Sequence, residues 1–565
     1  MTREQERILQ STRKGVASLI STAAISKLLN FAANILITRA IGRQVLGTGS
    51  LRLDDLLFLG PLVLTREGLR RAAYRSNTSD VPTQQSLINL TWLVAPITVL
   101  FALVFAYGMY IWPPAEIIRG DIHVSLTDYY RAMIYTGVAV VLAVLTEPVF
   151  VLAQSQLLTG LRAKIEMFAV LGKCIAMLYL TVYCQLTVEA FAIANIVYAF
   201  IPLCSYWSYY LLYTTQFPRP KPFGKGSNQQ WCTRAMQTTA TVFWWQSLQK
   251  WLLENGEKIV LAFAGTTAQQ GVYVVVDRLG SIVVRLLFQP AEEMSLATLG
   301  KLTALEKNSQ VDRHGSQETQ HTRTSSNIKS ITESVHTNFS SWLLLLMLVG
   351  LTFVAFGPGF VHLFLHVLYG ATWSSTSAPY TLGWYCVYVF FMATNGVCEA
   401  FVQGTSTAAG IAKYNRWMVV FSIVYMCTVC SLLPLFGAVG LILANIIKML
   451  CRISVCSMSY IRPYFRERSM PTFTLTSLLP HNQVLGWFVV SFLLLQCSSA
   501  MVYYPAMVAY SQGSTNTTEM GVQVSLHVLC GVGCLSSTYW SIWNKHGVQL
   551  RELVGAGGEG KQKAT

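Results

Sequence analysis

From Leu87 to Trp112 the chain reads LINLTWLVAPITVLFALVFAYGMYIW, twenty-six positions without one Asp, Glu, Lys or Arg. About 20 apolar residues in a helix cross the hydrocarbon core of a bilayer, so this run is long enough to span. Working outward from it, similar runs fall at 15–40, 45–65, 130–153, 165–185, 187–213, 237–263 and 271–296. They continue at 339–367, 379–402, 416–436, 438–461, 484–504 and 521–543, fourteen in all. The second is the weakest, its apolar stretch Leu56–Leu64 being flanked by Arg52, Asp54 and Asp55, and the first and seventh are amphipathic. Of the 565 residues 53% are apolar and 12% charged, about half the charge of a soluble domain. A soluble enzyme, a disordered chain and a fibrous protein are thereby excluded. The expected fold is all-α, a polytopic membrane protein of about 14 transmembrane helices.

The net charge of +15 would point to nucleic acid in a soluble chain. Here its placement matters more. Loops after even-numbered spans hold twenty Lys and Arg, from Arg66 and Arg70 to Arg466 and Arg468, against Arg43 and Arg119 in the odd-numbered loops. Lys and Arg favour cytoplasmic loops, so both termini are expected in the cytosol and no nucleic-acid partner is called for. The charged stretch 1–15 precedes a helix interrupted by Lys27, Asn30 and Asn34, which does not read as a cleaved signal peptide. The sequon at Asn516 falls in a lumenal loop, where a glycan is expected. The tail Lys561–Thr565 has the form of a dilysine retrieval signal, or is a frayed basic end.

A faint internal repeat supports a duplicated transporter architecture. Gln154 and Lys164 follow the fourth span as Gln403 and Lys413 follow the tenth. Glu67 lies 20 residues after Gly47, and Glu292 lies 21 after Gly271. The expected organisation is an N-terminal lobe at 1–213, a cytosolic connector at 214–236 and a C-terminal lobe at 237–461, each lobe of six helices. Two further helices follow at 462–543, then a cytosolic tail at 544–565. The Ser-, Thr- and Gln-rich stretch 301–338 reads as a solvated cytosolic linker.

Ionisable side chains within spans are costly and usually face a bundle interior or a wet cavity. In the eighth span Asp277, Arg278, Ser281, Arg285, Gln289 and Glu292 fall within about 120° of arc. The seventh carries Gln246, Lys250, Glu254 and Glu257 on one stripe, the first Lys27, Asn30, Asn34 and Thr38. These stripes either line a central cavity or form structural ion pairs. Arg grips phosphate oxygens with a planar fork, which makes Arg39, Arg66, Arg278 and Arg285 candidates for an anionic head group. Lys27, Glu257 and Lys258 complete the candidate cavity lining. No phosphate-binding loop, nucleophile elbow or zinc-protease motif is present, and Cys427 and Cys430 lack partner ligands. No catalytic residue, metal site or cofactor is expected.

Five stretches in order resemble the Rft-one family of endoplasmic-reticulum proteins. They are Leu46–Ala72, Glu147–Gln154, Gly256–Glu293, Tyr385–Glu399 and Val439–Asn445. Within them Glu67, Glu147, Pro148, Gln154, Gln289, Pro290, Glu292 and Glu399 are expected to serve structure or gating. The family is similar to the lipid-II and multidrug flippases, which implies two six-helix lobes around a cavity plus two C-terminal helices. It further implies a non-enzymatic role in N-glycosylation. That role is movement of a mannose-rich dolichyl-diphosphate oligosaccharide from the cytosolic to the lumenal leaflet. The alternative is a non-transporting protein that binds the lipid or supports the pathway's assembly. The implied partners are that lipid-linked oligosaccharide, membrane lipid and other membrane proteins of the glycosylation pathway.

Overall fold

The computed structural model describes residues 31–75, 81–122, 124–155, 158–213, 234–315, 321–468, 479–512, 514 and 516–559. Among the described residues the fold is helical, with no strand. α1 (Phe31–Ala40) and α2 (Arg43–Leu46) lead into a π-helical stretch, Gly47–Leu59, which continues as α3 (Gly60–Arg75). The uncharged run sits in α4 (Val81–Ile111), and the short α5 (Ala115–Arg119) precedes α6 (Leu126–Leu145). The fourth span breaks after Thr146 and resumes as α7 (Glu147–Ser155). Pro148 stands in the first turn of α7, where its missing N–H has no helical partner to lose. α8 (Thr159–Val182), α9 (Val188–Tyr213), α10 (Arg234–Ala264) and α11 (Thr267–Val283) follow.

The second half begins with a π-helical turn, Val284–Phe288, then α12 (Gln289–Gly315), α13 (His321–Tyr369) and α14 (Ala371–Ser374). Next come α15 (Ala378–Thr405), α16 (Ala408–Phe436) and α17 (Ala438–Cys456). Gly437 joins α16 to α17 at φ 58° and ψ −136°, a conformation open to glycine. α18 (Arg462–Glu467), α19 (Asn482–Ser498), α20 (Tyr504–Ser511) and α21 (Thr517–Glu559) complete the chain.

Ten of the helical spans among the described residues are long and apolar enough to cross a membrane. Segments one, two, seven and eight account for the difference from fourteen. All carry helix, but the second, seventh and eighth are too polar to qualify by composition, and the first is described only from Phe31. The qualifying helices expose apolar side chains: on α4, Leu100, Leu103, Val104 and Tyr107 are each at least 60% exposed. A soluble surface rarely shows such a continuous apolar row; a lipid-facing helix requires one.

The chain divides into two compact units, Met1–Val274 with Leu368–Thr372, and Val275–Val367 with Trp373–Thr565. The core of the first gathers Phe58, Leu62, Val94, Val140, Phe150 and Tyr206. In the second, α19 and α21, the two helices expected beyond the repeat, pack on α13 through Leu344, Leu348, Val484, Phe488 and Ile542. This division falls inside α11, and within the first unit α10 lies along α3. The polar stretch 301–338 is helical over 301–315 and 321–338; a polar composition does not preclude a helix.

Candidate functional site

Glu147 is the centre of a charge cluster in the first unit. Its carboxylate is buried at 1% exposure and accepts from Arg66 at 3.4 Å and from Arg70 Nε at 3.1 Å, with a second Arg70 contact. The Arg70 guanidinium also lies 3.8 Å from the centre of the Phe150 ring. The break at Thr146–Glu147 aims this carboxylate at α3. Arg66, a head-group candidate, is thus held by a carboxylate. Arg70, its stronger partner, was counted by the sequence reading only as a loop charge.

The π-helical stretch carries three ionised groups, and each is matched. Arg52 is buried and donates to the carbonyls of Trp112 (3.0 Å) and Ala262. Asp54 accepts from Asn195 Nδ2 at 2.6 Å and Lys173 Nζ at 3.2 Å. Asp55 accepts from Lys258 Nζ at 2.9 Å. These charges made the second span look weak in sequence; in the structure they tie it to α8, α9 and α10. Asp55 and Lys258 border a cavity of about 200 Å³ that Leu59, Val63, Glu67, Trp251 and Asn255 complete. Two candidates named separately, Glu67 and Lys258, therefore line one pocket. Glu257 points elsewhere and accepts from the Tyr273 hydroxyl at 2.5 Å. Arg39 is exposed, and its Nε donates to the Leu368 carbonyl at 2.6 Å.

In the second unit Glu399 accepts from Arg452 Nε at 2.8 Å and from the Tyr414 hydroxyl. Arg452 was missed, although a lone Arg inside the apolar run of α17 is itself a signal. Arg278 is half-buried and its carbonyl accepts from the Ser281 hydroxyl at 3.0 Å. Arg285 is exposed on the π-helical turn. Gln289 is exposed and donates to Glu293 at 3.1 Å, beside exposed Pro290. Asn516 is exposed. Lys27 and the Lys561–Thr565 tail lie outside the described residues, as do the side chains of Gln154, Lys250 and Glu254.

The quoted motifs meet one another as glycine contacts. A methyl group added at Gly47 would stand 2.2 Å from the Thr267 carbonyl oxygen and 2.7 Å from the Gly271 nitrogen. One at Gly271 would stand 1.9 Å from the Arg43 carbonyl oxygen. The two glycines matched in the sequence repeat thus face each other where two backbones touch. Gly280 likewise receives the Tyr385 ring, and Gly396 receives the Glu292 carboxylate. Glu116 on α5 accepts from the Thr267 N–H at 3.1 Å and so caps the start of α11. Among the described residues no group of His, Cys, Asp and Glu is placed to hold a metal ion.

A family model described as Rft protein matches residues 11–544. The chain belongs to the Rft protein family. A relative from Dictyostelium discoideum, named Man(5)GlcNAc(2)-PP-dolichol translocation protein RFT1, is 28% identical over 569 residues, covering 97% of each chain. A relative of the same name from Xenopus tropicalis is 28% identical and covers 86% of this chain and 88% of its own. Among solved structures, the lipid II flippase MurJ in an inward closed conformation superposes with a TM-score of 0.56 at 11% identity. It covers 93% of this chain and 99% of its own. At that identity the likeness concerns the fold, and it agrees with the ten apolar helices: this Rft protein is a multi-pass membrane protein of the flippase-like helical architecture.

Proposed function

We propose that this Rft protein moves the dolichyl-diphosphate-linked, mannose-rich oligosaccharide from the cytosolic to the lumenal leaflet of the endoplasmic reticulum. What carries the reading is the family match over 11–544, joined to relatives named for that translocation. The physics gives the step its need. A diphosphate bearing several sugars does not cross hydrocarbon unaided, because each buried charge costs at least several kcal/mol. A polar cavity replaces water around the head group while the polyprenyl tail stays in lipid. Arg278 and Arg285, on the polar stripe of the eighth span, are head-group ligands in this reading. Fourteen spans, in two six-helix lobes with two helices added, belong to the same proposal, as does the absence of catalysis.

Purified protein in vesicles should translocate lipid-linked oligosaccharide faster than empty vesicles. Equal rates would leave a binding or assembly protein that works beside other membrane proteins of the pathway. The proposed topology, with both termini cytosolic, places exposed Asn516 in the lumen. A glycan removable by endoglycosidase is expected there and should vanish in Asn516→Gln. An unglycosylated wild-type chain, recovered from cells that glycosylate a control sequon, would count against that orientation.

A further inference from the structure

Between Ala400 and Arg466 the chain holds six Lys and Arg and no Asp or Glu. Two of the six lie deep in their helices and are matched: Arg452 donates to Glu399, and Lys448 Nζ stands 4.0 Å from the centre of the Tyr425 ring. The other four, Lys413 and Arg416 on α16 and Arg462 and Arg466 on α18, are exposed. Among the described residues none of these four pairs with a carboxylate, whereas nearby Arg468 is answered by Glu306. The Tyr460 hydroxyl donates to the Gly410 carbonyl at 3.3 Å, and the Tyr414 and Tyr460 rings meet edge to face, 5.9 Å between centres. These contacts set the start of α16 beside the turn that leads into α18, so the four bases share one end of the helix pair. Arg416 stands within electrostatic reach of Tyr460. Beyond the bases the outer faces turn apolar. On α16, Arg416 is followed at helical spacing by exposed Val420 and Ile423. On α17, exposed Ile447, Leu450, Ser454 and Met458 lead at intervals of three and four to Arg462 and Arg466.

We propose that this end of the α16–α17 pair is a binding site for an anionic glycerophospholipid of the surrounding leaflet. Arg416 and Arg462 grip its phosphate, Lys413 and Arg466 add charge, and its acyl chains lie on the two apolar stripes. Charge selects the head group: four bases without a local acid favour a net negative lipid, while a zwitterionic head group brings a cation of its own. Shape selects the tails, since a soluble phosphate would leave both stripes unused. The bases stand on an exposed surface with no enclosure for the sugars of a glycolipid, which sets this site apart from a path for the transported lipid. The proposed topology puts this end in the cytosolic leaflet, where the membrane surface is negative.

The test titrates the detergent-solubilised full chain with phosphatidylserine, with phosphatidylcholine of the same acyl chains and with dolichyl diphosphate, and counts bound lipid by native mass spectrometry. Wild type should hold phosphatidylserine at least about ten-fold more tightly than phosphatidylcholine. One base beside an anionic lipid contributes about five-fold in affinity. Arg416→Gln and Arg462→Gln should therefore each weaken phosphatidylserine binding by about that factor, and the double variant by more than about ten-fold. Phosphatidylcholine binding should not change. Arg416→Lys keeps the charge and should retain most of the affinity. Lys545→Gln, which removes an exposed base on α21, should bind as wild type does. Thermal unfolding of each variant checks that it is folded. A wild type that does not prefer phosphatidylserine, or a folded double variant that binds it undiminished, overturns the site. So does an equal loss in Lys545→Gln, which would mark a diffuse effect of charge. Dolichyl diphosphate that binds more tightly than phosphatidylserine, and weakens in the same variants, would assign these bases to the transported lipid and overturn the phospholipid reading. None of these measurements follows transport, so their failure leaves the translocation reading standing, and failure of translocation leaves this site.

Discussion

Gly271→Ala is expected to remove most of the folded protein, although it adds one methyl group. That methyl would lie 1.9 Å from the Arg43 carbonyl oxygen, about 1.5 Å inside ordinary van der Waals contact. The obstacle is backbone, so no rotamer change relieves it. α11 would have to slide away from the start of the second helix. Doing so strains the Glu116 contact to the Thr267 N–H and the Tyr273–Glu257 hydrogen bond, which lie on either side of Gly271. Overpacking by a side chain against a side chain costs about 1–3 kcal/mol. A clash between two helix backbones belongs to the rarer class above about 4 kcal/mol, comparable with the whole stability of many proteins. The same argument applies to Gly47, from the other side of the contact. Gly300 is the control: an added methyl there meets nothing within 4 Å. Inside α12, Gly300→Ala should be neutral or stabilise by about 0.5–1 kcal/mol. Detergent-solubilised variants compared by size-exclusion profile and Tm decide the matter. A monodisperse Gly271→Ala protein with the Tm of wild type would show that the two backbones do not touch as described.

These glycine contacts mark the limit of what the sequence made legible. Apolar helices such as α4 and α16 can be read locally, because lipid forces every backbone group of a span to bond within its own helix. The partners of Gly47, Asp55 and Gly396 lie more than 100 residues away in sequence, and no local pattern names them. Periodicity placed Asp277, Arg278 and Glu292 on one stripe, yet could not show that Glu292 ends in the notch at Gly396. The motif residues were therefore visible as a set, while their pairing was not. Arg452 and Lys173 are a different kind of omission. Each is a charge in a helical span, a readable sign that a partner must exist, but neither lies on the polar stripes that drew attention. The charge that weakened the second span as a lipid crosser is what binds it to its neighbours. The polar stretch 301–338 is likewise helical over 301–315 and 321–338, since helix formation needs only compatible backbone propensity.

Glu147→Gln is the second substitution expected to act strongly, and its effect should exceed that of either arginine variant. The carboxylate is 1% exposed, and Arg66 and Arg70 are 22% and 23% exposed. Removing its charge leaves two guanidinium groups close together without their common counter-charge. Breaking a buried pair in this way costs about 3–5 kcal/mol. Arg66→Gln leaves Glu147 with its closer, two-pronged partner Arg70, so the expected loss is about 1.5 kcal/mol, the lower end for one hydrogen bond with a charged group. Arg70→Gln should fall between them, because it also gives up the contact with the Phe150 ring, worth about 0.5–2 kcal/mol. The residues share one network, so the losses should not add. Once Glu147 is Gln, a further Arg66→Gln should restore stability by relieving repulsion between like charges. Tm values of the three single variants and the Glu147→Gln, Arg66→Gln double variant give the coupling directly. If the double variant falls by the sum of the single losses, Glu147 and Arg66 act independently and the cluster is not the unit described.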